Sequence, residues 1–248
     1  GNEEEGVPGC IANGIPEATA QKIYDEMIDF AKYAFNKSHA AAYAVVAYQT
    51  AWLKHYYPVE FMAALMTSVI DNPGKVSEYI LTCRQMGISV LPPDINEGAA
   101  RFSVSNGSIR YALSAIKSIG RPVVEAIMEE RRLGGKFKSL TDFLERMTGK
   151  EVNKRVVENL IKAGALDSLG GTRQQYILAY AGIMDSVAQS QKTMMTGQMS
   201  LFDLVDEDQK ASFQAKLPDV GEYPKELLLS FEKEVLGIYV SGHPLEEY

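Results

Sequence analysis

Cysteine is scarce in this 248-residue chain: Cys10 and Cys83 are the only two. Two cysteines make neither a disulfide scaffold nor a zinc site, and they fit a reducing compartment. Histidine is almost as rare. His39, His55 and His243 are scattered, with no Cys or carboxylate at ligand spacing, so a zinc centre is not expected. Phosphate-cradling motifs of the P-loop or GxGxxG kind are missing. No stretch approaches ~18 apolar residues without a polar interruption, which excludes a membrane-spanning helix. The opening Gly1-Asn2-Glu3-Glu4-Glu5 is acidic and lacks the apolar core of a signal peptide. The acid cluster Asp206-Glu207-Asp208 lies in a polar stretch, where a solvated charge run is the simpler reading than a metal site. No convergent set of titratable groups announces catalysis.

What is present is the balance of a soluble globular protein, 46% apolar and 23% charged, long enough for one large or two small domains. The net charge of −7 conceals its distribution. Residues 1–31 carry seven acids and one base, and residues 191–248 eleven acids and five bases. Residues 32–190 carry nineteen bases and fourteen acids. A cationic middle between acidic ends is compatible with a local polyanion site.

The periodicity predicts a mainly α chain. Ile23, Met27, Phe30 and Ala34 recur at helical spacing after Pro16. An alanine-rich helix is expected over 38–55, a third after Pro58, and a fourth from Asn72-Pro73 to Gly87. Residues 88–111 read as a small β element: a short strand stopped by Pro92-Pro93, then a hairpin around Asn106-Gly107. Short helical pieces follow over 113–118, 122–132, 153–163 and from Thr172, with Ser139 as a cap ahead of Phe143 and Leu144. Residues 186–221 read as a linker, 224–236 as a last helix, and 237–240 as the start of a strand.

Three features suggest binding. Residues 32–58 contain no acid, only Lys32, Lys37, Lys54 and two histidines, interleaved with Tyr33, Phe35, Tyr43, Tyr48 and Trp52. This suits a cationic, aromatic surface for phosphate or nucleotide, and equally a packed alanine-rich helix pair with its lysines in solvent. Ser38 is placed to cap the second helix, whose free N–H groups favour an anion. A second acid-free run, 98–124, holds Arg101, Arg110, Lys117 and Arg121. Within it, Ile116-Lys117-Ser118-Ile119-Gly120-Arg121-Pro122 has the pattern of a helix-hairpin-helix: apolar residue, tight turn, glycine, helix. Gly120 lets a phosphate approach the backbone, although Ser118 stands where a first glycine is usual. Ile161-Lys162-Ala163-Gly164-Ala165-Leu166 is a second candidate, and an ordinary helical turn is the alternative for both. Third, Leu201 and Phe202 of Gln198-Met199-Ser200-Leu201-Phe202 are an apolar pair in a polar segment. Left in water they forgo ~1.5–3 kcal/mol each, so they pack on this chain or dock into a partner.

Together these segments resemble one family. Phe35-Asn36-Lys37-Ser38-His39-Ala40-Ala41-Ala42-Tyr43, Tyr48-Gln49-Thr50-Ala51-Trp52-Leu53-Lys54 and Tyr57-Pro58-Val59-Glu60-Phe61-Met62 resemble the fingers of the alpha subunit of bacterial DNA polymerase III. Leu91-Pro92-Pro93-Asp94-Ile95-Asn96 resembles its next signature. Residues 115–120, Asn153-Lys154-Arg155-Val156 and Ala163-Gly164-Ala165-Leu166-Asp167 are similar to its tandem helix-hairpin-helix domain. Leu236-Gly237-Ile238-Tyr239 and Ser241-Gly242-His243-Pro244 are similar to its approach to an oligonucleotide-binding domain.

The resemblance implies an internal fragment of a DNA-directed DNA polymerase: fingers over 1–90, a β element over 91–111, and tandem hairpins over 112–185. A clamp-binding linker over 186–221 and a helix over 222–248, leading to a missing oligonucleotide-binding domain, complete it. The palm aspartates that hold Mg2+ in such enzymes have no match, so no catalytic or metal residue is carried over and the fragment alone should be inactive. Implied roles are nucleotide binding for Lys37, Ser38 and His39, and duplex-backbone binding for Lys117, Ser118, Ile119, Gly120, Arg121 and Gly164. Sliding-clamp docking is implied for Gln198, Met199, Ser200, Leu201 and Phe202, with Met199 where the clamp motif has leucine, a swap close in volume. Implied partners are primer-template DNA, an incoming deoxynucleotide, the clamp and other replisome subunits, in bacterial cytoplasm. A repair or ligase-type hairpin module and a non-catalytic helical adaptor are the alternatives.

Overall fold

The computed structural model describes residues 2, 4–33, 37–195, 217–242 and 244–245, the side chains of 32, 33 and 192–195 excepted. It divides into two compact units, Gly1–Tyr56 and Tyr57–Tyr248.

The first unit holds α1 (Glu17–Tyr33), which starts after Pro16, and α2 (Lys37–Tyr56). Helix formation in α2 follows from its alanines. None of its residues is buried. Met27 and Phe30 on α1, and Tyr43, Tyr48 and Trp52 on α2, are exposed. Ser38 is not the cap of α2. The backbone is already helical at Lys37, so Ser38 falls inside the first turn.

The second unit begins with α3 (Pro58–Ser68) and α4 (Pro73–Gln85), which pack together. Each has proline in its first turn, where no N–H is needed. Asn72 Oδ1 caps α4 by accepting the Lys75 N–H at 3.1 Å. Burial raises the Cys83 thiol on α4 to a pKa of about 11. Strands β1 (Val90–Leu91), β2 (Ser103–Ser105) and β3 (Ser108–Arg110) form one sheet in the order β1-β3-β2. β2 and β3 are the antiparallel hairpin, closed by Asn106 and Gly107 with φ of 49° and 75°, and β1 runs parallel to β3. Positive φ at both central residues is why Asn-Gly is used there.

Leu91-Pro92-Pro93-Asp94-Ile95-Asn96 is a junction rather than a surface motif. Asp94 Oδ1 accepts the amides of Asn96 and Glu97 at 2.6 and 2.9 Å. The Asn96 side chain donates to Phe137 O and accepts from Phe137 N–H. Ile95 N–H donates to Ala165 O at 3.0 Å, and Arg131 donates to Ile95 O. The sheet is thereby fastened to the helices that follow.

The helix expected over 113–118 is only a 3-10 turn, Leu113–Ala115, because Ile116 is extended at ψ 131°. Ser118 then adopts φ 65°, one of two non-glycine residues with positive φ among those described. α5 (Arg121–Gly134), α6 (Leu140–Met147), α7 (Lys154–Lys162), α8 (Arg173–Met195) and α9 (Lys225–Leu236) follow. Ser139 Oγ caps α6 through Asp142 N–H, and Asn153 Oδ1 caps α7 through Val156 N–H. α8 packs on α6 and α7 around Phe143, Leu144, Val157, Leu160 and Tyr176, all essentially fully buried. It runs ten residues into the segment that composition reads as linker, where Ala188, Gln189, Gln191 and Met194 are good helix formers. The strand expected at 237–240 does not form. Gly237 ends α9 at φ 77°, and the Val240 and Ser241 amides donate to the Glu232 carboxylate instead of to a neighbouring strand.

Arg173, 5% exposed, joins these parts. Its guanidinium donates to both Asp167 carboxylate oxygens, to Lys162 O, and at 3.5 Å to Glu232, which is 0% exposed. Its own amide donates to Glu222. Arg173→Met therefore strands the Glu232 carboxylate in the interior and should cost about 3–5 kcal/mol, read by chemical denaturation. Glu232→Gln should cost less, because Arg173 keeps its charged partner Asp167 at 2.9 Å and the neutral amide adds no unpaired charge. Ser118→Gly should raise stability by about 0.5–1 kcal/mol in the same measurement, since glycine carries no Cβ penalty at positive φ.

Candidate nucleic-acid interface

The first hairpin connects the 3-10 turn to α5, and its backbone is pinned from behind. Lys117 N–H donates to Val235 O at 2.8 Å, and the Asn159 side-chain amide donates to Lys117 O at 2.7 Å. Ile119 is buried, and its N–H donates to Ile116 O at 3.1 Å. The Ser118 and Gly120 amides find no acceptor among the described residues. At the start of α5, Arg121 and Val123 add the free N–H groups of any first helical turn, Pro122 having none.

Gly120 is extended, φ −75° and ψ 158°, so the fold does not need its conformational freedom. A Cβ there would meet only Pro122 Cδ at 3.6 Å, an ordinary contact. The fold therefore tolerates a larger residue, and the space around Gly120 is open. Lys117, Ser118, Gly120 and Arg121 are exposed. The Lys117 ammonium makes no ion pair among the described residues. The Arg121 side chain, 84% exposed, pairs with Glu125 at 2.8 Å. Such a solvated pair is worth at most about 1 kcal/mol, so it yields readily to a phosphate.

The second hairpin is closed where the first is open. The Ala163, Gly164 and Ala165 amides donate to the Asn159, Ile161 and Leu160 carbonyls. Lys162 is held between Glu158 at 3.0 Å and Glu234 at 3.2 Å. Gly164 has φ 76°, and a Cβ on it would lie 2.2 Å from Arg173 Nη2. It is buried beneath that guanidinium with its amide used. The resemblance implies a phosphate-binding part for Gly164; in the structure Gly164 is the seat of the Arg173 network.

Arg110 is also consumed by structure, donating to Pro92 O and pairing with Glu97 at 2.7 Å. Arg101 is exposed and lines, with Gly120 and Arg121, a cleft of about 1220 Å3 that is also lined by Glu60 of α3 and by Asp71 in the turn after it. Arg101 belonged to the acid-free run without being singled out. Asn159 was missed entirely. Its only signal was an amide side chain among the buried apolar residues Val156, Val157, Leu160 and Ile161.

In the first unit, Lys37, Ser38 and His39 are exposed in the first turn of α2, which contains no acid. The His39 ring lies 4.4 Å from that of Tyr43. Residues 198–202, Gln198 through Phe202 in the sequence, lie outside the described residues. Among the described residues no three His, Cys, Asp or Glu side chains converge as a metal site requires, and no helix is long and apolar enough to cross a membrane.

Residues 87–176 match the helix-hairpin-helix motif family. The chain is 46% identical to DNA polymerase III subunit alpha of Vibrio cholerae over 97% of its own length and 21% of that protein's. It is 43% identical to the subunit of Thermus aquaticus over 100% of the chain, and 42% identical to that of Escherichia coli over 97%. The chain spans about a fifth of the length of these relatives. It is thus, along nearly its whole length, a homologue of one segment of the bacterial DNA polymerase III alpha subunit.

Proposed function

We propose that this chain is a working segment of a bacterial replicative DNA polymerase that holds the backbone of duplex DNA through its first hairpin. One observation carries the reading. The hairpin presents two unpartnered amides, Ser118 and Gly120, beside exposed Lys117 and Arg121, with glycine at a position where the fold itself does not demand it. Backbone amides and flexible cations recognise phosphate oxygens without reading bases, so binding is independent of sequence. The second hairpin supports the first instead of touching DNA.

In the whole polymerase, we infer, the first unit belongs to the fingers. Lys37, Ser38 and His39 then face the triphosphate of an incoming deoxynucleotide, a role supported by their place in an acid-free first helical turn. The exposed apolar side chains of α1 and α2 are surfaces that other parts of such a polymerase would cover. Nucleotidyl transfer with Mg2+ belongs to residues of the relatives' remaining length. No step of it is assigned to a residue here, since no described donor set fits a metal. A cytoplasmic location follows from this reading.

Docking of residues 198–202 on a ring-shaped sliding clamp is part of the same proposal. The support is the motif, four of five residues, with the apolar pair Leu201-Phe202 as anchors. Residues 217–222, beyond the motif, are fastened to the start of α8: Gln175 donates to Pro218 O, Thr172 to Gly221 O, and Glu222 accepts from Arg173 and Gln174. A pentapeptide bearing two anchors binds weakly, at about micromolar strength, and gains from the clamp sharing its DNA.

Two experiments test the proposal. With this chain and duplexes of unrelated sequence, Lys117→Ala with Arg121→Ala should weaken binding equally on all. The slope of log affinity against log salt should fall by roughly 1–2, about one for each phosphate no longer neutralised. An unchanged slope and affinity would make the hairpin a packing element. Leu201→Ala with Phe202→Ala should abolish binding to purified clamp and leave the melting temperature unchanged. Retained clamp binding, or a large fall in melting temperature, would show that the pair packs on its own chain.

A further inference from the structure

The first hairpin's presentation of its amides depends on a side chain that faces away from the interface. We propose that Asn159 is a positioning residue for phosphate binding, acting through the Lys117–Ser118 peptide. This inference rests on the proposed role of the first hairpin in DNA binding.

A trans peptide directs its C=O and its N–H to opposite sides. Asn159, 7% exposed on α7, donates from Nδ2 to Lys117 O at 2.7 Å and so fixes that carbonyl inward. The N–H across the same peptide bond, that of Ser118, is therefore aimed outward. Lys117 N–H is fixed inward by Val235 O, so the two peptides flanking Lys117 are held at opposite ends by α7 and α9. The turn needs such restraint because Ser118 sits at φ 65°, which a non-glycine residue does not prefer. Without the Asn159 amide, Lys117 O loses its buried donor. The peptide is then free to rotate, and rotation turns the Ser118 N–H away from where a phosphate would lie. Neither Asn159 nor Val235 O carries charge toward the ligand. Their effect is on the geometry of binding and not on the number of phosphates neutralised.

That distinction gives a test with this chain and duplex DNA over a salt series. Asn159→Leu, close in shape but without a donor, and Asn159→Asp, which offers a lone pair to the carbonyl, should each weaken binding about 10-fold. The salt slope should stay that of the parent, whereas Lys117→Ala lowers it by about one. Amide exchange on the same samples should show faster exchange at Lys117 and Ile119, with Tyr176 still protected in the core. Parent-like affinity in both Asn159 variants, despite faster exchange at Lys117, would overturn the inference and leave the hairpin reading intact. Parent-like affinity in Lys117→Ala and Arg121→Ala as well would overturn the hairpin reading itself. Loss of protection at Tyr176 in both variants would assign Asn159 to stability alone and overturn the proposal.

Discussion

The second unit depends on one buried guanidinium. Arg173 lies at the start of α8, yet its partners come from the turn after α7, from α7 itself and from α9. It closes over Gly164, and only glycine leaves it space. Burial pushes the Asp167 carboxyl above the usual carboxylate range, and Arg173 offsets this only in part. A carboxylate with a raised folded pKa favours the fold at low pH and loses that contribution as pH rises through the folded value. The network joins the start of α8 to α7, to the turn after it and to α9.

What it fixes is the difference between the two hairpins. They are similar in sequence, an apolar-lysine start followed by a turn and glycine, and opposite in state. In the second, the Ala163, Gly164 and Ala165 amides are satisfied internally and Lys162 is spent on Glu158 and Glu234. In the first, the polar groups that point inward are satisfied by α7 and α9, and the Ser118 and Gly120 amides have no acceptor among the described residues. α9 supplies the Val235 carbonyl to Lys117 and the Leu236 carbonyl to the buried Tyr111 hydroxyl. Residues beyond the proposed clamp motif therefore complete the hairpin.

Much of this was legible in the sequence because it is local. Proline at helix starts, Ser139 as a cap, and Asn106-Gly107 in the hairpin act within a few residues of themselves. The open hairpin was legible for the same reason, down to Ser118 as the residue out of pattern. Long-range pairings were not. Nothing near Gly164 in the sequence says that Arg173 will cover it, and nothing near Arg110 announces Glu97. The end of α8 was obscured because 186–195 is polar on most sides, so periodicity failed while helix propensity persisted. The strand expected at 237–240 gave way to Glu232, a carboxylate whose burial no local pattern reveals. Asn159 could be noticed as polar among apolar neighbours, but its partner lies forty-two residues away.

DNA backbone should meet the first hairpin and not the second. Amide chemical shifts of this chain during titration with a short duplex test it directly. Ser118, Gly120 and Arg121 should shift progressively and identically for unrelated sequences, while Gly164 and Ala165 stay where they are. Shifts at Gly164 and Ala165 with none at Ser118 or Gly120 would place the DNA at the second hairpin instead.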